Sequence, residues 1–263
     1  MYHGDSVGIT RGTLRRFLRL RTDKEFPHFD AKNKLELLAV KAGMKPAFLG
    51  IVEGSETPLR VASALLDLRC KLSTTPPPYF SRTPHVTSSF LTAYGRACQT
   101  TAFWIYSEER IETDISATLA GKLNEGHVLG YPQCCVKWHE EKRTLQAEAS
   151  FQDIELYISE NPSDLMNRGY ERIEEEYEAL LCTCRPPTYS ENEERVFGEI
   201  NDHIERTYKT HPFAPHWACS PCLDGKNMET EKLNLLYKKL AMDVSPKLAQ
   251  TVVESLEDAL RTK

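Results

Sequence analysis

Six of the eight cysteines stand in three tight pairs, Cys134-Cys135, Cys182-Thr-Cys184 and Cys219-Ser-Pro-Cys222. Thiols at these spacings are candidates for metal ligation, nucleophilic chemistry or a redox couple. The richest stretch is His211-Pro-Phe-Ala-Pro-His216-Trp-Ala-Cys219-Ser-Pro-Cys222. A Cys-x2-Cys turn lets two sulfurs converge on one ion about 2.3 Å away, and His211 and His216 stand close enough upstream to join them. Pro212, Pro215 and Pro221 reduce the entropy lost in holding those ligands. The same spacing also serves redox dithiols, but that use wants a strand-to-helix context, and no strand is legible upstream.

The second stretch is Leu129-Gly-Tyr-Pro-Gln-Cys134-Cys135-Val-Lys-Trp-His139. Gly130 ends the preceding segment and Pro132 suits a first helical turn, so both cysteines fall near the positive end of a helix dipole, which favours thiolate. Cys135 and His139 are four apart on one helix face and can share a metal or a proton. This makes Cys135 a candidate nucleophile, His139 its base, and Tyr131 a further catalytic candidate. Cys134 is offset by about 100° on the helix, so both sulfurs reaching one ion implies distortion of the helix start. Cys182 and Cys184 are alternate residues of an extended segment, which face opposite ways, so one ligand and one packing residue are expected there. The surplus of soft ligands, His127 included, fits an iron–sulfur cluster, a mononuclear iron or zinc site, or two separate sites. Cys70 and Cys98 stand alone and read as small core residues.

The string Gly-Tyr-Pro-Gln-Cys-Cys, preceded by Phe103-Trp-Ile-Tyr-Ser107 and a helical run, and followed by His216-Trp-Ala-Cys-Ser-Pro-Cys222, resembles an uncharacterised archaeal and bacterial family. That family is marked by Gly-Tyr-Pro-x-Cys-Cys and a later His/Cys-rich segment. The resemblance covers residues 100–240 and implies that Gly130, Tyr131, Pro132, Cys134, Cys135, His216, Cys219 and Cys222 belong to one functional centre. It brings no activity with it.

The elements that must position these residues change character along the chain. Residues 1–24 carry six basic and two acidic side chains, with Leu14, Phe17 and Leu18 between them, and predict a short basic amphipathic helix. A helix over 34–42, a buried strand over 47–52 and a helix capped by Thr57-Pro58 follow. Residues 73–84, with Pro76-Pro77-Pro78, read as a loop. Residues 102–106 read as the clearest strand and 108–123 as a helix with isoleucine and leucine four apart. From Pro132 onward the pattern is helical almost throughout, including an acidic helix bearing Met166, Tyr170, Ile173, Tyr177 and Leu181 and a last helix opened by Ser245-Pro246. The expected fold is α+β and α-rich: a small N-terminal α/β part followed by a helical array, divided into residues 1–84 and 85–263 or continuous as one domain.

The 263 residues carry 33 basic and 38 acidic side chains, and a net charge of -5 disfavours a nucleic-acid partner. Residues 151–205 alone hold fifteen acidic and four basic side chains, which a solvated helix face explains. No apolar run approaches the roughly 20 residues of a membrane span. The absence of a hydrophobic leader predicts a cytoplasmic location, where structural disulfides are disfavoured. Together these features favour a cytoplasmic metalloprotein, an oxidoreductase-like enzyme holding an iron–sulfur cluster or a single iron or zinc and acting on a small-molecule substrate. Two alternatives stand beside it: a zinc-stabilised helical interaction module, and a metal-free thiol enzyme using Cys135 and His139.

Overall fold

The structure, a computed structural model, describes residues 8–20, 30–51, 57–75, 100–142, 144–145 and 191–261. The fold is α+β and α-rich, with a three-stranded sheet in the first half and helices in the second. In chain order the described elements are α1 (Arg11–Leu18), α2 (Ala31–Lys41), β1 (Ala47–Ile51), α3 (Thr57–Leu65), β2 (Arg69–Thr75), β3 (Thr100–Tyr106), α4 (Arg110–Leu119) and α5 (Glu125–Val128). There follow α6 (133–142), α7 (Glu191–Thr210), α8 (Ser220–Leu223), α9 (Glu229–Val244) and α10 (Pro246–Arg261). The chain forms two compact units. The first is built from residues 1–73, 101–138 and 203–263, and the second from 74–100 and 139–202. The boundary expected at residue 84 and the acidic helix expected around Tyr170 lie outside the described residues.

α1 starts at Thr10, whose hydroxyl accepts from the Thr13 amide at 3.2 Å, satisfying one of the orphan donors of the first turn. Leu14 and Phe17, three residues apart, face inward, while Arg11, Arg15, Arg16 and Arg19 stay in water. The end of α1 is met by Lys34, whose ammonium donates to the Leu18 and Leu20 carbonyls. α2, capped by Asp30 on the Asn33 amide at 2.8 Å, buries residues nearly all round and packs against β1, α9 and α10.

β1 and β3 run antiparallel in the register Ala47↔Tyr106 to Ile51↔Ala102, and β3 is the central strand. Alternation divides the side chains of β3 between two cores. Phe103 and Ile105 join Phe48 in the larger cluster with α1, α2, α9 and α10, whereas Trp104 and Tyr106 pack with Ile111, Ile115, Val128 and Leu129. Burial on both faces accounts for the unbroken apolar run Phe103-Trp-Ile-Tyr106. β2 corrects the sequence reading, which began a loop at Ser73. Its only apolar residues, Cys70 and Leu72, make too short an alternation to announce a strand, and pairing to β3 supplies what its own sequence does not.

α9 and α10 are joined at Ser245, whose extended backbone breaks the helix and whose carbonyl accepts from the amides of Leu248 and Ala249. Leu248, Val252 and Leu256 of α10 recur every four residues and enter the same core as Leu35 and Leu38 of α2. At about 1.5–3 kcal/mol per buried aliphatic side chain, this stripe is what holds the last helix down.

The turn at Gly130 joins α5 to α6. Its φ is +73°, and the Tyr131 amide bonds the Gly126 carbonyl at 2.9 Å, closing α5 as glycine termini do. A Cβ at residue 130 would also lie 2.8 Å from Pro46 Cδ. Gly130→Ala is therefore expected to cost at least the about 1–2 kcal/mol of a left-handed L-residue, read as a lowered urea midpoint with an unchanged slope.

Candidate metal centre

Two short backbone devices bring the sulfurs together. In α6 the Pro132 carbonyl accepts from the amides of Cys135 and Val136 at 2.9 and 3.0 Å, so Pro132 stands at the cap and both cysteines lie in the first turn. In the second segment Cys219 caps α8, with Pro221 inside its first turn, and the Cys222 amide bonds the Cys219 carbonyl at 3.0 Å. The loop ahead of it is fixed by Thr207, whose hydroxyl donates to the His203 carbonyl at 2.7 Å and accepts from the Ala218 amide at 2.9 Å.

The result is a cluster of four thiols. Cys135 Sγ lies 3.6 Å from Cys219 Sγ and 3.7 Å from Cys222 Sγ. Cys134 Sγ lies 3.7 Å from Cys222 Sγ and 3.9 Å from Cys135 Sγ. All four sulfurs fall within 4.8 Å of one another and could hold a metal ion. Cys135, Cys219 and Cys222 are buried with Ala218, and Cys134, Trp138 and Leu223 close the outer side.

Cys134, expected as a ligand beside Cys135 at the cost of a distorted helix start, does converge with it in this group. Side chains of adjacent residues near a helix start can swing toward one another, and the common point lies between the two faces, not on either.

The cluster carries its own hydrogen-bond donors. The Cys219 amide points at Cys135 Sγ at 3.4 Å, and Asn227 Nδ2 at Cys134 Sγ at 3.2 Å. Thr230, fully buried, places Oγ1 3.5 Å from Cys135 Sγ and 3.0 Å from His216 Nε2. Burial pushes the Cys134 thiol up to about 12, with its contacts to Cys222 and Cys219 adding to the rise. Burial also raises Cys135, against the opposing pull of Thr230 and the Cys219 amide. At Cys222 burial acts upward too, but hydrogen bonds from Thr230, Cys219 and Cys134 together bring it below the ordinary thiol range. A cation entering here must displace protons, as thiolate sites require.

The remaining candidates occupy other positions. His211 lies between Thr210 Oγ1, 2.7 Å from Nδ1, and Glu231 Oε2, 3.1 Å from Nε2, so its ring nitrogens face those groups and not the sulfurs. This corrects its expected role as a ligand. His216 corrects likewise from ligand to neighbour, reaching Cys135 through Thr230. Among the described residues His139 is not in the group of converging ligand atoms. Tyr131 sends its hydroxyl toward Lys45 Nζ, 3.4 Å away, and its ring lies 5.2 Å from that of His216. Burial, then the nearby Glu36 carboxylate, pushes its phenol well above the ordinary range, against a role as a proton acceptor. Cys182, Cys184 and Cys98 lie outside the described residues.

Sequence reasoning missed Thr230, Asn227 and Glu229. Their one local signal is the Asn227 side chain accepting from the Glu229 amide at 3.1 Å, a turn ahead of α9. It also missed the buried ion pair of Lys45 with Glu36, on which Tyr131 rests.

No protein-family model, no curated protein and no solved structure matches the chain. Among the described residues no helix is long and apolar enough to cross a membrane.

Proposed function

We propose that Cys134, Cys135, Cys219 and Cys222 hold one zinc ion as a closed tetrathiolate that ties the start of α6 to the segment 219–222. The observation that carries this is the mutual adjacency of the sulfurs. Bonds of about 2.3 Å at tetrahedral angles put neighbouring sulfurs about 3.8 Å apart; four of the six separations here are 3.6 to 3.9 Å, and all six fall within 4.8 Å. An iron–sulfur cluster distributes its thiolates over several irons and so holds some of them further apart, which makes it the weaker fit. Four sulfur ligands leave no open position for substrate, the arrangement of structural zinc sites. The protein is thus read as a zinc-stabilised α-rich module in a reducing compartment such as the cytoplasm. Kinship with the Gly-Tyr-Pro-x-Cys-Cys family is part of the same proposal, supported by the left-handed turn that Gly130 makes ahead of the two cysteines.

A single iron in the same four thiolates is the second reading, and the donors from Asn227, Thr230 and the Cys219 amide favour it, since such bonds tune an iron–thiolate potential. That version keeps an electron-transfer role. Metal analysis of protein purified without oxygen separates the two: one colourless zinc per chain is the expected result, one coloured iron selects the second reading, and absence of stoichiometric metal refutes both.

Thr230→Val should keep the shape of the site while removing the hydroxyl between His216 and Cys135. Competition with a chromogenic chelator is expected to show metal affinity about 10–100-fold weaker.

A further inference from the structure

The four sulfurs are not equivalent. Cys135, Cys219 and Cys222 are 2–3% exposed, whereas Cys134 is half-buried at the outer edge. Cys135 receives a backbone amide and faces the Thr230 hydroxyl, both of which draw electron density from its sulfur. At Cys134 the one amide of Asn227 is opposed by the Glu229 carboxylate, whose Oε2 lies 3.7 Å from Sγ. An anion at that distance stands against a second negative charge on the sulfur and weakens its hold on the cation. Cys134 is therefore the ligand most open to solvent, and as a bound thiolate it is less stabilised than Cys135. Beside it, at 3.7 Å, is Cys222 Sγ from the other segment.

We propose that Cys134 is a site of oxidation by hydroperoxides, with Cys222 as its resolving partner, so that the metal is released when the pair closes. This rests on the tetrathiolate reading above. In the first step the Cys134 thiolate sulfur attacks the outer peroxide oxygen. The S–O bond forms, the O–O bond breaks, and the leaving alkoxide or hydroxide takes a proton from water. In the second step the Cys222 thiolate attacks the Cys134 sulfur, forming the S–S bond and expelling hydroxide. Two thiolates have then lost two electrons and the peroxide has gained them. The sulfurs need to close from 3.7 Å to about 2.05 Å. Cys135, at 3.9 Å, is the next residue in the same helical turn, and joining it to Cys134 would strain that turn. The metal keeps two thiolates, Cys135 and Cys219, and leaves. A dithiol reductant restores the site.

The experiment takes metal-loaded full-length chain, first assayed for metal content, and adds one equivalent of hydrogen peroxide in the presence of a chromogenic zinc chelator. The expected result is one metal released per disulfide, peptide mapping that finds Cys134 joined to Cys222, and recovery of metal binding after dithiothreitol. Cys134→Ser, if it still loads metal, should release it at least tenfold more slowly. A first disulfide between Cys135 and Cys219, or release as fast from Cys134→Ser, overturns the inference and leaves the metal centre standing. If Cys134→Ser fails to load, the mapped disulfide of the unaltered chain decides. Absence of metal at the outset overturns the centre and the inference together.

Discussion

Replacing Cys135 by Ser is expected to weaken metal binding by more than 100-fold while leaving the helical circular dichroism signal nearly unchanged. Cys135 is the ligand whose sulfur lies within 3.9 Å of all three others, so its loss opens the centre at its most connected point. The effect should exceed the about 10–100-fold that removal of an outer hydrogen-bond partner costs. The main core, from Leu14 and Leu35 to Val252 and Leu256, contains none of the four cysteines, which is why the helices should persist. Stability should nevertheless fall. With free metal 1,000-fold above its dissociation constant, binding adds about 4 kcal/mol. At roughly 2–4 °C per kcal/mol for a chain of this size, that is a drop in melting temperature of about 8–16 °C. Thermal scans of metal-loaded wild type, chelated wild type and Cys135→Ser check this: chelation should give the full drop, and Cys135→Ser, at least 100-fold weaker, at least about 2.7 kcal/mol of it. Equal melting temperatures for all three would remove the stabilising role assigned to the metal.

The second large effect is expected at the buried ion pair. Lys45 and Glu36 lie in contact with side chains 2% and 11% exposed, and Tyr131 meets the ammonium from the site side. Glu36→Gln leaves a buried ammonium without its carboxylate and should cost about 3–5 kcal/mol by urea denaturation. The double change Glu36→Leu with Lys45→Met removes both charges and should recover most of that loss, because paired burial of charge repays little more than its own desolvation. Additive losses in the double variant would show that the pair does more than neutralise itself.

Much of this architecture can be read directly from residue patterns. Leu14 and Phe17, Ile111 and Ile115, and Leu248, Val252 and Leu256 announce their helices because an α-helix facing one core must repeat its apolar residues at three or four. The strands near residues 47 and 103 are legible because both faces of β3 are buried. At the candidate site, Cys-x2-Cys and the Gly-Tyr-Pro turn are visible because ligand convergence and a left-handed residue demand particular types at particular spacings. What stays invisible depends on distant segments. Thr230 reaches Cys135 across 95 positions, and its type and local spacing are those of any helix-start threonine. His211 looks like a ligand by proximity to Cys219, but Thr210 and Glu231 occupy its ring nitrogens. The helical-wheel expectation that Cys134 joins Cys135 only through a distorted helix start overstated the offset, because a wheel fixes Cβ directions and not where a rotated sulfur ends.

The first compact unit is assembled from three separated stretches, with the last of them supplying α9 and α10. This ordering has a consequence for biosynthesis. Leu35 and Leu38 emerge from the ribosome early, but their packing partners Leu248, Val252 and Leu256 are made more than two hundred residues later. At roughly 5–20 residues per second, α2 waits on the order of 10–40 s with its apolar surface uncovered. The nascent chain therefore passes through a long interval in which chaperones have a large target, and its largest core closes only once α10 has been made.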